Sequence, residues 1–326
     1  MIALIAILTP ILISLLATVY GSPYAIRFAT NMLMWIALVQ SLNTITGYVG
    51  RIHFGHVMFF GLGAFSTVLL YERGISWPLT LIISPLIVAF FAFAIGYVTL
   101  RLHGAYFAIA TWAFAEMLKQ IALNVEWLGK GYGIPVKSPL GSYHVLYLMA
   151  IVATLAIAMN VFIERSKLGR AFMAIRDNEI AASVYGINVV NYRVLAYVLS
   201  SIPASLAGGL YVYWISYAYA GDLFSGLKTD IMFISLLLGG MGNYLGPLIG
   251  SLIFISTYEI LWAYIGEQLY LVLLGLTIVV LVLFAPYGIT GFLGFTKPSI
   301  RYFALSLTPK EVIERMQLIK GVKEGG

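Results

Sequence analysis

Apolar residues run through this chain in stretches of about 20, separated by short polar or glycine-rich breaks and not by the regular alternation of a half-buried sheet. A helix of that length crosses a hydrocarbon core about 30 Å thick. Taken in order, the runs predict spans at 2–20, 27–46, 54–71, 78–100, 104–124, 143–163, 192–218, 228–242, 246–264 and 267–285. The expected fold is therefore all-α, a polytopic membrane protein of about ten transmembrane helices. The glycine-rich pieces "FGHVMFFGLGAF" and "LLLGGMGNYLGPLIG" are the places where helices are expected to be broken or re-entrant. Residues 1–296 make up the membrane domain, and 297–326 a polar tail. Within the tail, "TPKEVIERMQLIK" reads as a capped helix, with Thr308 at the cap, Pro309 at the first position and Glu311 completing a capping box.

Composition agrees with the pattern. Only 10% of the residues are charged and 61% are hydrophobic, whereas soluble domains average about 25% charged. The mean hydropathy is +0.95. The chain has no Cys, which excludes disulfides, thiolate catalysis and Cys-based metal sites. The first run lacks a basic flank and is longer than a signal-peptide core, so it is read as a retained span. The net charge of +6 lies in the flanks of the spans and forms no basic groove, so nucleic acid is not an expected partner; membrane lipid is.

Charge also orients the spans. With the polar segment near 164–186 placed inside, the span count returns both termini to the cytoplasm. Of the 19 Lys and Arg residues, 13 then lie inside and 6 outside, the direction the positive-inside rule demands.

The segment 164–188 is the anomaly. "ERSKLGRAFMAIRDNEIAASVYG" gathers Glu164, Arg165, Lys167, Arg170, Arg176, Asp177 and Glu179 in a chain otherwise poor in charge. Ala171, Phe172, Ile175, Ala182 and Val184 recur at helix-compatible intervals, Asp177 or Asn178 suits the cap of a second short helix, and Gly186 suits a helix end. One or two short helices outside the bilayer fit these signals. A solvated connecting loop fits the composition equally well.

"GRAFMAIRDNEIAASVYGI" resembles the cytoplasmic loop of permease subunits in branched-chain amino-acid ABC importers, the LivM-like family. Its Ala-Ala-x-x-x-Gly part matches at Ala181, Ala182 and Gly186, although Ile180 separates Glu179 from the alanine pair. Three further segments are similar in the same order: "GYVGRIHFGHVMFFGLGAF", "LRLHGAYFAIATWAFAEML" and "LLLGGMGNYLGPLIGS". His53 stands where the family has Ser, and so inherits no role.

The resemblance implies a permease subunit that translocates branched-chain or related small amino acids by alternating access. It implies a multi-pass protein of a prokaryotic inner or plasma membrane, two ABC ATPase subunits, a second homologous permease subunit and an external substrate-binding protein. Arg170, Ile175, Arg176, Asp177, Asn178, Glu179, Ala181, Ala182 and Gly186 would then couple to the ATPase. Exchanging Arg176 and Glu179 together would be expected to uncouple ATP hydrolysis from transport and leave assembly largely intact. ATP would bind on the partner, with no cofactor on this chain, which carries no Gly-x-x-x-x-Gly-Lys-[Ser/Thr] loop. Relatives carrying urea or amides keep the substrate class open. A stand-alone ion-coupled transporter remains the alternative mechanism; it would call for intramembrane carboxylates, which are sparse here. A membrane-embedded enzyme finds no catalytic motif.

Ionisable groups inside a span are costly and so mark function. Glu116 is expected either on the translocation path or paired with Lys119, and Glu259 likewise on the path or at the interface; Asp230 is expected as an interfacial anchor or cap. His53 and His56 at i,i+3 would share a helical face but lack a third metal ligand, so no metal is expected, and His56 is expected to bond backbone freed by nearby glycines. Gly55, Gly61, Gly63, Gly239, Gly240 and Gly242 would either pack helices closely or interrupt them around a cavity. With His56, Tyr106, Phe107, Glu116 and Glu259 they complete the expected path.

Overall fold

The computed structural model describes residues 2–102, 104–265, 272–273, 275–277, 279 and 288–292. The expected tail at 297–326 lies outside them, as does most of the expected span at 267–285. The described residues are helical almost throughout. Its helices are α1 (Ile2–Tyr20), α2 (Pro23–Asn43), α3 (Val57–Glu72), α4 (Trp77–Thr99), α5 (Ala105–Asn124), α6 (Ser142–Arg165), α7 (Lys167–Asp177), α8 (Glu179–Val184), α9 (Val189–Ile215), α10 (Ala220–Leu223), α11 (Gly226–Gly239), α12 (Leu245–Ile265) and α13 (Gly288–Phe292). A π-helical turn, Thr44–Tyr48, prolongs α2. Two short strands, β1 (Ile134–Pro135) and β2 (Tyr217–Ala218), pair antiparallel.

Local chemistry starts these helices. Ser22 caps α2 by accepting from the Ala25 amide, and Pro23 follows at the first position, where no N–H is needed. Asn188 caps α9 the same way, accepting from Asn191.

Described helical residues fall in all ten expected ranges, but among the described residues five helices are long and apolar enough to cross a membrane: Ile2–Tyr20, Pro23–Tyr48, Trp77–Thr99, Ser142–Arg165 and Val189–Ile215. Two of the others fall short in length. α3 has 16 residues and α11 has 14, which at 1.5 Å per residue reach only about 20–25 Å. α5 is long enough, but Glu116, Lys119, Gln120 and Asn124 crowd its second half.

The core is organised around α2, buried on nearly all sides from Met32 to Asn43 and packed against α1, α6, α9, α11 and α12. A second contact joins α9 to α3 and α4. Small residues let these helices approach closely, as packing in lipid favours. A Cβ on Gly63 would overlap the Ser205 backbone, and one on Gly208 would overlap the Phe60 carbonyl. In α12, Gly246 lies against Gly240, and Gly250 against the Ser235 carbonyl. Gly250→Ala is therefore expected to cost about 1–3 kcal/mol through forced separation of α11 and α12. Gly226→Ala, which points into open space, is expected to be near neutral. Thermal unfolding of the two variants in detergent, followed by size-exclusion profile, checks the contrast.

Candidate functional site: a rooted helical pair and an opposite cavity

The segment 164–188 folds as two short helices. Ser166 caps α7 through the Gly169 amide, and Asn178 leaves the helical conformation to cap α8 through the Ala181 amide. Gly186 adopts φ +82° just past the end of α8, the left-handed geometry that suits glycine. Phe172, Ile175 and Ala182 turn inward and are buried. Gly169 sits so close to the Ile163 carbonyl that no Cβ fits there.

Glu179 locks α8 to the body. Its carboxylate pairs with Arg51 at 2.9 Å and with Arg193 at the start of α9. Side-chain exposure is 10% for Arg51, 4% for Arg193 and 34% for Glu179, so the two cations lie deeper than the anion that compensates them. Burial draws the Arg51 guanidinium below its usual value; Arg193 adds to that pull and Glu179 opposes it. Arg51 also donates to the Leu102 carbonyl at 3.3 Å.

Arg176 reaches further in. Its Nη1 donates to the Gly47 carbonyl at 3.0 Å, and its side chain lies against Gly50 and Gly242, where a Cβ would collide with it. The two glycine clusters that stand far apart in the sequence thus meet beneath α7. Asn43 stitches them together: Oδ1 accepts from the Gly242 amide at 3.0 Å, and Nδ2 donates to the Asn243 carbonyl at 3.0 Å and to Asn160 Oδ1 at 3.2 Å. Glu164 closes the other side, accepting from Tyr48 Oη at 3.2 Å and from the Tyr244 amide at 3.1 Å. Gly50, Gly240 and Gly242 all have positive φ, where α2 and α11 give way to irregular backbone. Both expected glycine roles are present, close packing at Gly239, Gly246 and Gly250 and helix interruption at Gly240 and Gly242.

Arg176 and Glu179 therefore point into the protein. Substituting both is therefore expected to loosen the seating of α7 and α8 on the body, whereas changing Arg176 alone leaves the Glu179 clamp in place. The outward surface is different: Arg170, Asp177 and Asn178 are exposed, and Ile180, Val184 and Tyr185 are 76%, 80% and 86% exposed. Of these, the sequence pattern singles out Val184, and Ile180 stands four residues before it on the same helical face.

Other expected path residues scatter. Gly55, Gly61 and Gly63 pack against the Thr111 backbone, the Phe224 ring and the Ser205 backbone. Tyr106 is exposed, whereas Phe107 is buried beside His53 and Tyr197. Glu116 bonds Lys119 at 3.3 Å and Gln120 at 2.8 Å, its pairing alternative. His53 and His56 do not share a helical face, because His53 lies in irregular chain before α3 and His56 in the turn that leads into it. Their rings are edge-on with Nδ1 atoms 3.1 Å apart. His56 Nε2 lies 2.8 Å from Ser41 Oγ, and His53 Nε2 lies 3.0 Å from Tyr197 Oη. His56 thus meets side chains, not freed backbone. Asp230 lies inside α11, which starts after Ser225, so it is not a cap.

Glu259 faces a cavity of about 690 Å³. Pro23, Tyr24, Arg27, Phe28 and Asn31 of α2, Tyr211, Trp214 and Ile215 of α9, Asp222, Lys228, Ile231 and Tyr258 also line it. The cavity lies at the Pro23 end of α2 and the Ile215 end of α9, while α7 and α8 abut the opposite ends of both helices. Lys228 pairs with Asp222 and lies over the Tyr211 ring at 5.3 Å, and Tyr211 Oη donates to Asp222 Oδ2 at 2.8 Å.

The profile of the family described as "Branched-chain amino acid transport system / permease component" matches residues 24–282. The chain belongs to this family. It is a multi-pass membrane transport permease. The branched-chain amino acid permease LivM of Escherichia coli is 25% identical over 89% of this chain and 76% of that protein. The probable LivM of Methanocaldococcus jannaschii is 24% identical over 78% of this chain and 82% of that protein. The LivH permease of Escherichia coli is 30% identical over 45% of this chain and 46% of its own length. No solved structure matches.

In this permease, Glu179→Gln leaves Arg51 and Arg193 without their counter-charge. A fully buried pair broken in this way costs about 3–5 kcal/mol. Water at the partly exposed carboxylate reduces this to about 1–3 kcal/mol. Amide hydrogen exchange is expected to accelerate in residues 178–187, with α3 and α4 unchanged.

Proposed function

We propose that this chain is the permease subunit of an ABC importer, moving branched-chain or related small amino acids by alternating access, powered by a separate ATPase. One observation carries the reading: a capped, two-helix projection offers an apolar outer face and is rooted by Arg176 in the junction of two interrupted helices. Force applied at Ile180, Val184 and Tyr185 passes through α7 to Gly47 and Gly242 without crossing a flexible linker. Packed elements of this kind shift between discrete arrangements.

In this reading α7 and α8 face the cytoplasm, both termini lie inside, and about ten helices cross or enter the inner membrane of a prokaryote. Two ATPase subunits hold ATP; this chain binds no cofactor. A second homologous permease completes the pathway, in keeping with the likeness to both LivM and LivH proteins. An external binding protein delivers substrate to the side of the cavity. A family member specialised for urea or amides would share all of these parts.

The test separates docking from transmission. The exposed pair Ile180→Asp and Tyr185→Asp is expected to abolish co-purification of a P-loop ATPase from the native host while the permease stays monodisperse. Arg176→Ala is expected to keep the ATPase bound but lower ATP-dependent amino-acid uptake into proteoliposomes at least tenfold. Wild-type uptake and ATPase retention in the Ile180/Tyr185 variant would sink the reading.

A further inference from the structure

The cavity opposite α7 and α8 contains four charged side chains, and they are not equivalent. Lys228 and Asp222 satisfy one another, and Tyr211 takes the second Asp222 oxygen. Arg27 and Glu259 are different: among the described residues neither has an ion-pair partner. Glu259 receives only the neutral amide of Asn31, which fixes its carboxylate but leaves its charge uncompensated. Asn31 and Arg27 are i and i+4 on α2, so they lie on the same face about 6 Å apart along the axis.

One cation and one anion thereby line the same cavity beside Phe28 and Trp214, with Arg27 one turn of α2 from the Asn31 that holds Glu259. Sites for small molecules combine such apolar walls with a few fixed polar groups, in volumes of about 300–1,000 Å³. Two opposite charges close together but not touching suit a ligand that carries the reverse pair. Simple amines and simple carboxylates each leave one of the two without a counter-charge, and neutral ligands leave both.

We infer that this cavity is a binding site for a zwitterion bearing an apolar side chain, with its carboxylate against Arg27, its ammonium against Glu259 and its side chain on Phe28 and Trp214. The assignment rests on the importer reading and deepens it. It makes α2 the element that both reads the substrate at Arg27 and Asn31 and carries Gly47, where Arg176 arrives, about 30 Å away along the helix. A lipid headgroup with an amine and a phosphate presents the same pair of charges.

The full-length chain, purified with its partner subunits, is tested by displacement of radiolabelled leucine. Isoleucine is expected to compete well, while 3-methylbutylamine and 4-methylpentanoate, each lacking one charge, compete at least tenfold more weakly. Arg27→Gln is expected to weaken leucine at least tenfold and erase its advantage over the amine. Glu259→Gln is expected to erase its advantage over the acid, and Arg27→Lys to restore most of the loss. Arg27 is exposed on the first turns of α2, and matching size-exclusion profiles confirm that the variants fold. ATP-dependent leucine uptake by the wild-type complex is measured alongside. Undiscriminating competition by the single-charge analogues overturns the assignment, as does unchanged binding in both neutral variants, no leucine binding by the wild type, or stronger displacement by phosphoethanolamine than by isoleucine. If uptake persists in any of these cases, the importer reading stands and the cavity assignment alone falls; loss of uptake by the wild-type complex removes the reading itself.

Discussion

Backbone polar groups deep in a membrane protein must find partners inside the protein, and a broken helix releases several at once. This chain breaks α2 and α11 and satisfies each break with the other. Asn43 supplies both an acceptor to the Gly242 amide and a donor to the Asn243 carbonyl, while Arg176 takes the Gly47 carbonyl. One asparagine and one arginine therefore hold together what would otherwise be two unsatisfied ends. The position of α7, the path of α12 and the burial of Glu164 all depend on that junction.

Charge is used sparingly and locally. The Glu179 clamp and the Lys228–Asp222 pair sit at opposite ends of the long helices, where irregular chain segments meet the bundle. Between them much of the packing is apolar or made by small residues, as along α3 and α9, joined by uncharged polar contacts such as His56 with Ser41 and His53 with Tyr197. Without a strong hydrophobic force between helices in lipid, close backbone approach supplies the packing.

Much of this was legible in the sequence. Run length located nearly every helix, with α1 predicted at the same residues the structure gives it. Cap chemistry favoured one or two short helices where composition left a loop equally open, and the structure resolves this to two, with Asn178 as the cap and Gly186 past the end. What stayed hidden was non-local. Nothing in the spacing of Gly47 and Gly242 says that they touch, nor that Arg176 turns inward when its neighbour Asp177 is exposed. α3 and α11 are short, at 16 and 14 residues, and each lies at one of the two glycine-rich pieces singled out as places for interrupted helices. Of the two carboxylates weighed for the pathway, Glu116 had a partner three residues away and Glu259 had one on α2, and only the first was visible in sequence.

The absence of side chains at positions 50 and 242 has a reach beyond packing. The Arg176 side chain fills the space of both, so three positions on three distant segments share one volume. A methyl group added at either glycine has nowhere to go except into the arginine. The outer projection and the inner junction are thus tied together: an alanine at 242 would push the Arg176 guanidinium aside and off the Gly47 carbonyl.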